Sequence, residues 1–184
     1  GQEINGITSS IARMNLYLNG VEDFSIVCDD TLEQPAFTDG SHIKQFDIVL
    51  ANPPYSIKNW NQKAFVHDRW GRNFLGTPPE SCADYAFIQH ILKSMNDNGR
   101  CAILLPHGVL FREAEKAIRT KLIERDLIDC VIGLAPNLFF NSPMEQTNNF
   151  EPRPVESTPI MNNNMNNNMN NNVQSIHTPV VESN

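Results

Sequence analysis

The carboxamide of Asn52, the two prolines after it and the ring of Tyr55 make Asn52-Pro53-Pro54-Tyr55 the most chemically specific stretch of the chain. Asn52 offers a neutral carbonyl oxygen, and the proline that follows drives its backbone into an extended conformation. Pro53 and Pro54 fix two successive φ angles and carry no N–H, so the local carbonyls are not drawn into a helical turn. The product is a rigid cluster of acceptors beside one flat aromatic face, a socket for a planar amine. Taken alone, the same residues could form a proline-rich turn with Tyr55 in the core. The preceding run, Phe46-Asp47-Ile48-Val49-Leu50-Ala51, decides between the two, because its length and β-branched content are those of a buried parallel strand. The tetrapeptide then lies at the strand's carboxyl end, where open α/β sheets place their chemistry.

Two carboxylates fall at comparable places. Glu3 follows Gly1-Gln2 at what reads as the end of a strand, where an acid can accept hydrogen bonds from ribose hydroxyls. Asp30, in Cys28-Asp29-Asp30-Thr31-Leu32, lies at the tip of the next strand, where it can accept from an adenine amino group. Either acid alone is as well explained as an ordinary strand or helix terminus; their shared location with Asn52 at three strand tips favours a common site.

The elements that must position these residues alternate. Apolar spacing predicts a helix over residues 7–18, carrying Ile7, Ile11, Met14 and Leu18, with Thr8 or Ser9 as cap and Gly20 as stop. Strands are predicted over 24–28 and 46–51, a helix over 84–95, a strand within 100–106, a charged amphipathic helix over 113–125 and a strand over 127–134. Strands alternating with helices imply an α/β protein with a parallel, doubly wound sheet.

The 28 residues from 56 to 83 are too many for a simple connector. They hold both tryptophans, Trp60 and Trp70, with Phe65, Phe74, Lys58, Lys63, Arg69 and Arg72. Two readings stand side by side: a surface that touches nucleic acid through phosphate neutralisation and stacking, or a lid whose aromatics pack inward while its charges face water.

Composition divides the 184 residues in two. Residues 1–143 are globular in character, whereas residues 144–184 contain Met161-Asn162-Asn163-Asn164 and two further copies of that unit, a tract too polar to offset the cost of ordering and expected to be disordered. Net charge is -7 overall, and 13 Lys and Arg against 17 Asp and Glu leave the first 143 residues at -4, so contact with nucleic acid is local or shared with a partner. Cys28, Cys82, Cys101 and Cys130 form no CxxC pair and read as buried reduced thiols of a cytoplasmic protein, not as a disulfide framework or a metal site. No stretch is long enough to span a membrane, and the first residues lack the pattern of a signal peptide.

The chain resembles the central part of the modification subunit of type I restriction-modification systems, adenine-N6 DNA methyltransferases. The resemblance rests on Gly1-Gln2-Glu3-Ile4-Asn5, Ala12-Arg13-Met14-Asn15-Leu16, Asp30-Thr31-Leu32 and Asp47 through Ser56. It continues through Ala83 to Leu92, Leu105 to Arg112 and Val131-Ile132-Gly133-Leu134. It implies a Rossmann-like methyltransferase domain over residues 1–143 that uses S-adenosylmethionine. Asn52 and the Pro53 carbonyl would hold the N6 amine of an adenine flipped from DNA, within the motif completed by Pro54, and Tyr55 would stack on the base. Glu3 would bind the cofactor ribose and Asp30 its adenine ring, although the family usually has Gly where this chain has Asp29. Implied partners are DNA, a specificity subunit that reads the recognition sequence and a restriction subunit, with no membrane.

The family's glycine-rich first strand precedes the Gly-Gln-Glu segment, and its last strand follows the point where this chain turns Asn-rich. The fold is therefore expected to be truncated at both ends, with unpaired backbone at the centre of the sheet, marginal stability and weak or absent catalysis alone. Two other functions remain open on the sequence: a non-catalytic fragment acting as an interaction module, and a transferase that methylates the side-chain nitrogen of protein glutamine.

Overall fold

A computed structural model describes residues 1–135, so the Asn-rich stretch at 144–184 and the domain boundary at 143 lie outside the described residues. Helix α1 runs Gly6–Leu18. Its cap is Asn5 rather than Thr8 or Ser9: the Asn5 carboxamide oxygen accepts from the amides of Ile7 and Thr8, at 2.9 and 3.1 Å, satisfying two donors of the first turn. At the other end Gly20, at φ +74°, lets the chain reverse so that the Val21 amide bonds back to Leu16. The stripe expected to be buried faces away. Ile7, Ile11, Met14 and Leu18 are all exposed, and α1 packs through Ser9 and Arg13, whose guanidinium donates to Ile26 O at 2.8 Å.

The expected strand over 24–28 is reduced to one parallel bridge, Gln2 with Val27, secured by Glu3 N to Val27 O and Val27 N to Gly1 O, each at 3.0 Å. A short antiparallel pair that the sequence reading missed follows, β1 Thr38–Asp39 with β2 His42–Ile43, closed by Gly40 at φ +60°. Strand β3, Phe46–Ala51, then pairs in parallel with β4, Met95–Ile103. The register slips between Phe46 and Ile48, where β4 bulges through Asn96-Asp97-Asn98-Gly99 and Asn96 donates to the Asp47 carboxylate at 2.6 Å.

The α/β class therefore holds, but among the described residues the strands form two separate two-stranded sheets and a bridge, not one wide sheet. Nor is β3 buried on both faces. Ile48 and Leu50, on one side of its pleat, are 70 % and 77 % exposed, because no described element covers them. The strand expected over 127–134 is not formed: among the described residues the segment has no ladder partner, and Val131 and Ile132 lie open to water. Among the cysteines, Cys82 is buried and Cys101 half-buried, whereas Cys28 and Cys130 are exposed; all four are free. No described helix is long and apolar enough to cross a membrane.

The core gathers around helix α3, Asp84–Lys93, which is buried on nearly every side. Tyr85 and Ile88 pack with Leu75, Val109, Ile118 and Leu122, the last two from helix α4, Lys116–Glu124. Ala83 and Ala86 pack with Leu32, Trp60 and Phe65. Phe65 lies on the short helix α2, Gln62–Val66, inside the long loop.

One polar contact at the back of α3 responds to pH. His90 Nδ1 lies 3.4 Å from Arg72 Nη1, and burial first, then the Arg72 charge, push the imidazole pKa down to about 4. The unfolded chain takes up this proton near pH 6.5 while the folded chain refuses it, so stability is full above pH 6.5 and falls as pH drops toward 4. The loss is expected to be on the order of 2 kcal/mol after allowing for solvent near the ring. Urea unfolding between pH 7.5 and 4.5 should show this slope, and His90→Gln should flatten it.

Candidate active site

Strand β3 delivers Asn52 to the edge of the parallel pair, and Leu104 N to Ala51 O at 2.9 Å carries the ladder up to that edge. There Asn52 is exposed, Pro53 buried, Pro54 exposed and Tyr55 half-buried. The socket is thus rooted by one proline and open at its polar rim. Its first acceptor is already engaged: the Tyr55 hydroxyl donates to Asn52 Oδ1 at 2.9 Å. Burial raises the Tyr55 pKa further above neutrality, so the phenol keeps the proton it donates. A planar amine entering the socket must displace that hydroxyl or share the oxygen with it.

The loop then makes a left-handed turn at Ser56, φ +50°, a conformation that costs energy in a residue other than glycine unless its surroundings hold it. They do. The Ser56 amide donates to Asp84 Oδ1 at 2.7 Å, and Arg112 Nη1 donates to Ser56 Oγ at 3.2 Å. Arg112 also pairs with Asp84 Oδ2 through Nη2 and with Glu115 Oε2 through Nε, the latter at 2.6 Å. Cys82, Asp84 and Glu115 bring a sulfur and two carboxylates within 4.8 Å of one another, a spacing that a cation bridges. The two carboxylates are held by the Arg112 guanidinium. Burial by itself would lower the guanidinium pKa, but the hydrogen bonds it donates to Glu115 and Asp84 outweigh that and hold the charge firmly. The Cys82 thiol is pushed up to about 11, by burial first, with the Asp84 carboxylate adding to the rise and a hydrogen bond to the Asp84 backbone opposing it, and stays protonated.

Glu3 and Asp30 follow the bridged residues Gln2 and Val27, at the same end of two parallel segments. Among the described residues each has one oxygen committed and one with no hydrogen bond. Glu3 Oε1 accepts from Asn5 N at 2.8 Å, and Asp30 Oδ1 accepts from the amides of Leu32 and Glu33 at 2.8 and 3.1 Å. Asp29 is exposed, its carboxylate turned back to the Asp30 amide. Among the described residues no hydrogen bond joins Glu3 or Asp30 to the tetrapeptide; the three tips belong to two separate pairings, Glu3 and Asp30 to the Gln2–Val27 bridge and Asn52 to the β3–β4 pair.

The long loop resolves in favour of inward aromatics. Trp60 and Phe65 are buried edge to face at 5.4 Å, and Trp60 Nε1 donates to Pro79 O. Arg72, counted with the basic residues, is not a surface charge at all: it is 1 % exposed and paired with Asp68 at 2.7 Å. It donates to the carbonyls of Thr31 and Leu32 at 2.9 and 2.7 Å, anchoring the segment that follows Asp30. Lys58, Lys63 and Arg69 do remain exposed, and Arg69 stacks on the Trp70 ring at 4.2 Å. Sequence reasoning missed Asp84, Arg112, Glu115 and the structural role of Arg72. The only sequence signal for them was an acid opening an otherwise apolar helix and an arginine after a strand.

A family profile described as N-6 DNA Methylase matches residues 1–149. The crystal structure of the type I restriction-modification system methyltransferase subunit from Streptococcus thermophilus superposes with a TM-score of 0.69 at 44 % identity, covering 77 % of this chain and 31 % of that one. The Type I restriction enzyme HindI methylase subunit of Haemophilus influenzae is 34 % identical over 146 residues, 77 % of this chain and 31 % of the relative. The MpnII methylase subunit of Mycoplasma pneumoniae is 36 % identical over 149 residues, 76 % of this chain and 27 % of the relative. The chain thus spans less than a third of the relatives it matches.

The Tyr55–Asn52 hydrogen bond gives a direct expectation. Tyr55→Phe keeps the ring and leaves Asn52 Oδ1 open, so any planar amine that the socket accepts, with adenosine as the probe, should bind about 3- to 10-fold more tightly, the worth of one modest hydrogen bond that no longer competes. Titration calorimetry reads this, and weaker binding by the Phe variant would show that the hydroxyl supports the ligand.

Proposed function

Since this chain belongs to the N-6 DNA methylase family, we propose that it carries the substrate half of an adenine-N6 DNA methyltransferase of the type I restriction-modification kind. The observation that carries the reading is the rigid Asn52-Pro53-Pro54-Tyr55 turn at the carboxyl end of a parallel strand, with a carboxamide oxygen at its exposed rim.

In this reading Asn52 Oδ1 and the Pro53 carbonyl accept the two N–H bonds of an adenine N6 amine, the Tyr55 hydroxyl gives way, and the Tyr55 ring stacks on the flipped base. Accepting both N–H bonds draws the nitrogen lone pair out of conjugation with the ring and fixes its direction. S-adenosylmethionine, when bound, supplies an electrophilic methyl group. The uncommitted oxygens of Glu3 and Asp30 suit its ribose hydroxyls and adenine amino group. Lys58, Lys63 and Arg69 favour DNA over a protein amide as acceptor, since exposed cations suit a phosphate backbone.

The wider reading follows from the names of the relatives. We infer that in the full-length protein the parallel pair and the Gln2–Val27 bridge join one doubly wound, Rossmann-like sheet, and that residues 1–143 belong to the methyltransferase domain. The protein works in the cytoplasm with a specificity subunit and a restriction subunit.

The test is methyl transfer. With residues 1–135 grafted into the matching segment of the Streptococcus thermophilus subunit, labelled methyl from S-adenosylmethionine is expected to enter DNA. Asn52→Ala should lower that rate at least 100-fold by removing a donor-aligned acceptor. Transfer that continues unchanged without the Asn52 carboxamide sinks the reading.

A further inference from the structure

We propose that Asp84, Arg112 and Glu115 form a positioning clamp that sets the pose of the acceptor turn through Ser56; the inference rests on the function proposed above. Three features of the turn call for such a device. Asn52 is exposed and Tyr55 only half-buried, among the described residues no ladder bond extends past Ala51, and the turn leaves through a serine in the left-handed region. A residue at φ +50° relaxes to negative φ unless something holds it, and relaxation at position 56 swings Tyr55 and with it the hydroxyl bonded to Asn52.

The clamp meets that need from three elements at once. Asp84, 1 % exposed, opens α3 and accepts the Ser56 amide. Arg112 follows the turn after β4 and reaches both the Ser56 hydroxyl and the second oxygen of Asp84. Glu115, fully buried, holds the guanidinium from the opposite side at Nε. A planar guanidinium with donors in fixed directions makes all three contacts simultaneously, which a lysine ammonium at the end of a flexible stem does not reproduce. Two buried carboxylates around one arginine are an expensive way merely to fill space, because apolar residues of similar volume serve stability as well or better. Their geometry is better explained by what they aim at. Outside the trio, the side chains of both Asp84 and Arg112 reach Ser56, the residue directly after the motif.

A shift of about 1 Å at reacting atoms can cost roughly 100-fold in rate without changing how tightly the cofactor binds. The experiment therefore separates kcat from KM. In the same graft, Arg112→Lys is expected to lower kcat about 10- to 100-fold while KM for S-adenosylmethionine stays within about 2-fold. Ser56→Pro removes the amide that Asp84 accepts and fixes φ at about −65°, so it should lose about 100-fold; parent-like kcat there would show that the joint at position 56 does not set the pose, which keeps the test informative if Arg112→Lys does not fold. In the full chain, 3-fluorotyrosine at position 55 offers a readout independent of turnover: its ¹⁹F resonance should move or broaden in Arg112→Lys and Ser56→Pro. Parent-like kcat and an unmoved resonance in a folded Arg112→Lys or in Ser56→Pro overturn the clamp. Failure of Asn52→Ala to affect transfer would instead overturn the function on which it rests.

Discussion

Helix α3 must satisfy the backbone of a loop that cannot satisfy itself, and much of the described fold depends on how it does so. Residues 56–83 contain one five-residue helix and otherwise no regular structure, yet seven of them are buried and nine more half-buried. Buried amides and carbonyls need partners, and polar side chains from α3 provide them. Asp84 takes the Ser56 amide at one end of the loop. Gln89, wholly buried, takes the Leu75 amide and gives to the Gly76 carbonyl at the other. Two apolar clusters then close on either side of the same helix, so α3 is both the hydrophobic hub and the polar template. An ordinary amphipathic helix does only the first of these tasks.

The same economy governs the acceptor site. Rigidity in Asn52-Pro53-Pro54-Tyr55 comes from covalent restraint, which needs no neighbours, while orientation comes from Ser56 and its buried partners, which do. The two are complementary: a stiff segment attached at a strained, well-held joint moves as a unit or not at all. The Tyr55 hydroxyl adds a third element, since it occupies the carboxamide oxygen that a substrate amine would use. Such self-pairing keeps a polar rim satisfied at modest cost and is released by any ligand that offers a better-aligned donor.

How far the sequence revealed this differs from residue to residue. The tetrapeptide announced itself because its special property is covalent, and β3 because β-branched residues cluster in it. Helices α1, α3 and α4 were found by their period, with α1 starting one residue earlier and capped by Asn5. What stayed hidden were choices that only three dimensions make. Ile7, Ile11, Met14 and Leu18 have helical spacing, but spacing does not say whether anything covers the stripe. Arg72 is one basic residue among several in its loop, and nothing local distinguishes a buried arginine bound to two carbonyls and Asp68 from an exposed one such as Arg69. Arg112 and Asp84 lie 28 residues apart in the chain, so their pairing has no local signature.

The uneven distribution of burial has a thermodynamic consequence. The interior around α3 is well filled, whereas the α1 stripe and the Ile48–Leu50 face of β3 leave six large apolar side chains more than half exposed. Each such side chain gains about 1.5–3 kcal/mol when removed from water. A surface of that kind is stabilised by whatever apolar element covers it, and the gain reaches the site directly on β3, because the strand that bears Ile48 and Leu50 ends at Asn52. Covering that face stiffens the strand from which the acceptor projects, while the clamp at Ser56 stiffens the turn from the other side. The orientation of the Asn52 carboxamide is thus the joint outcome of two restraints, one already built into the described residues and one that depends on what meets the open face.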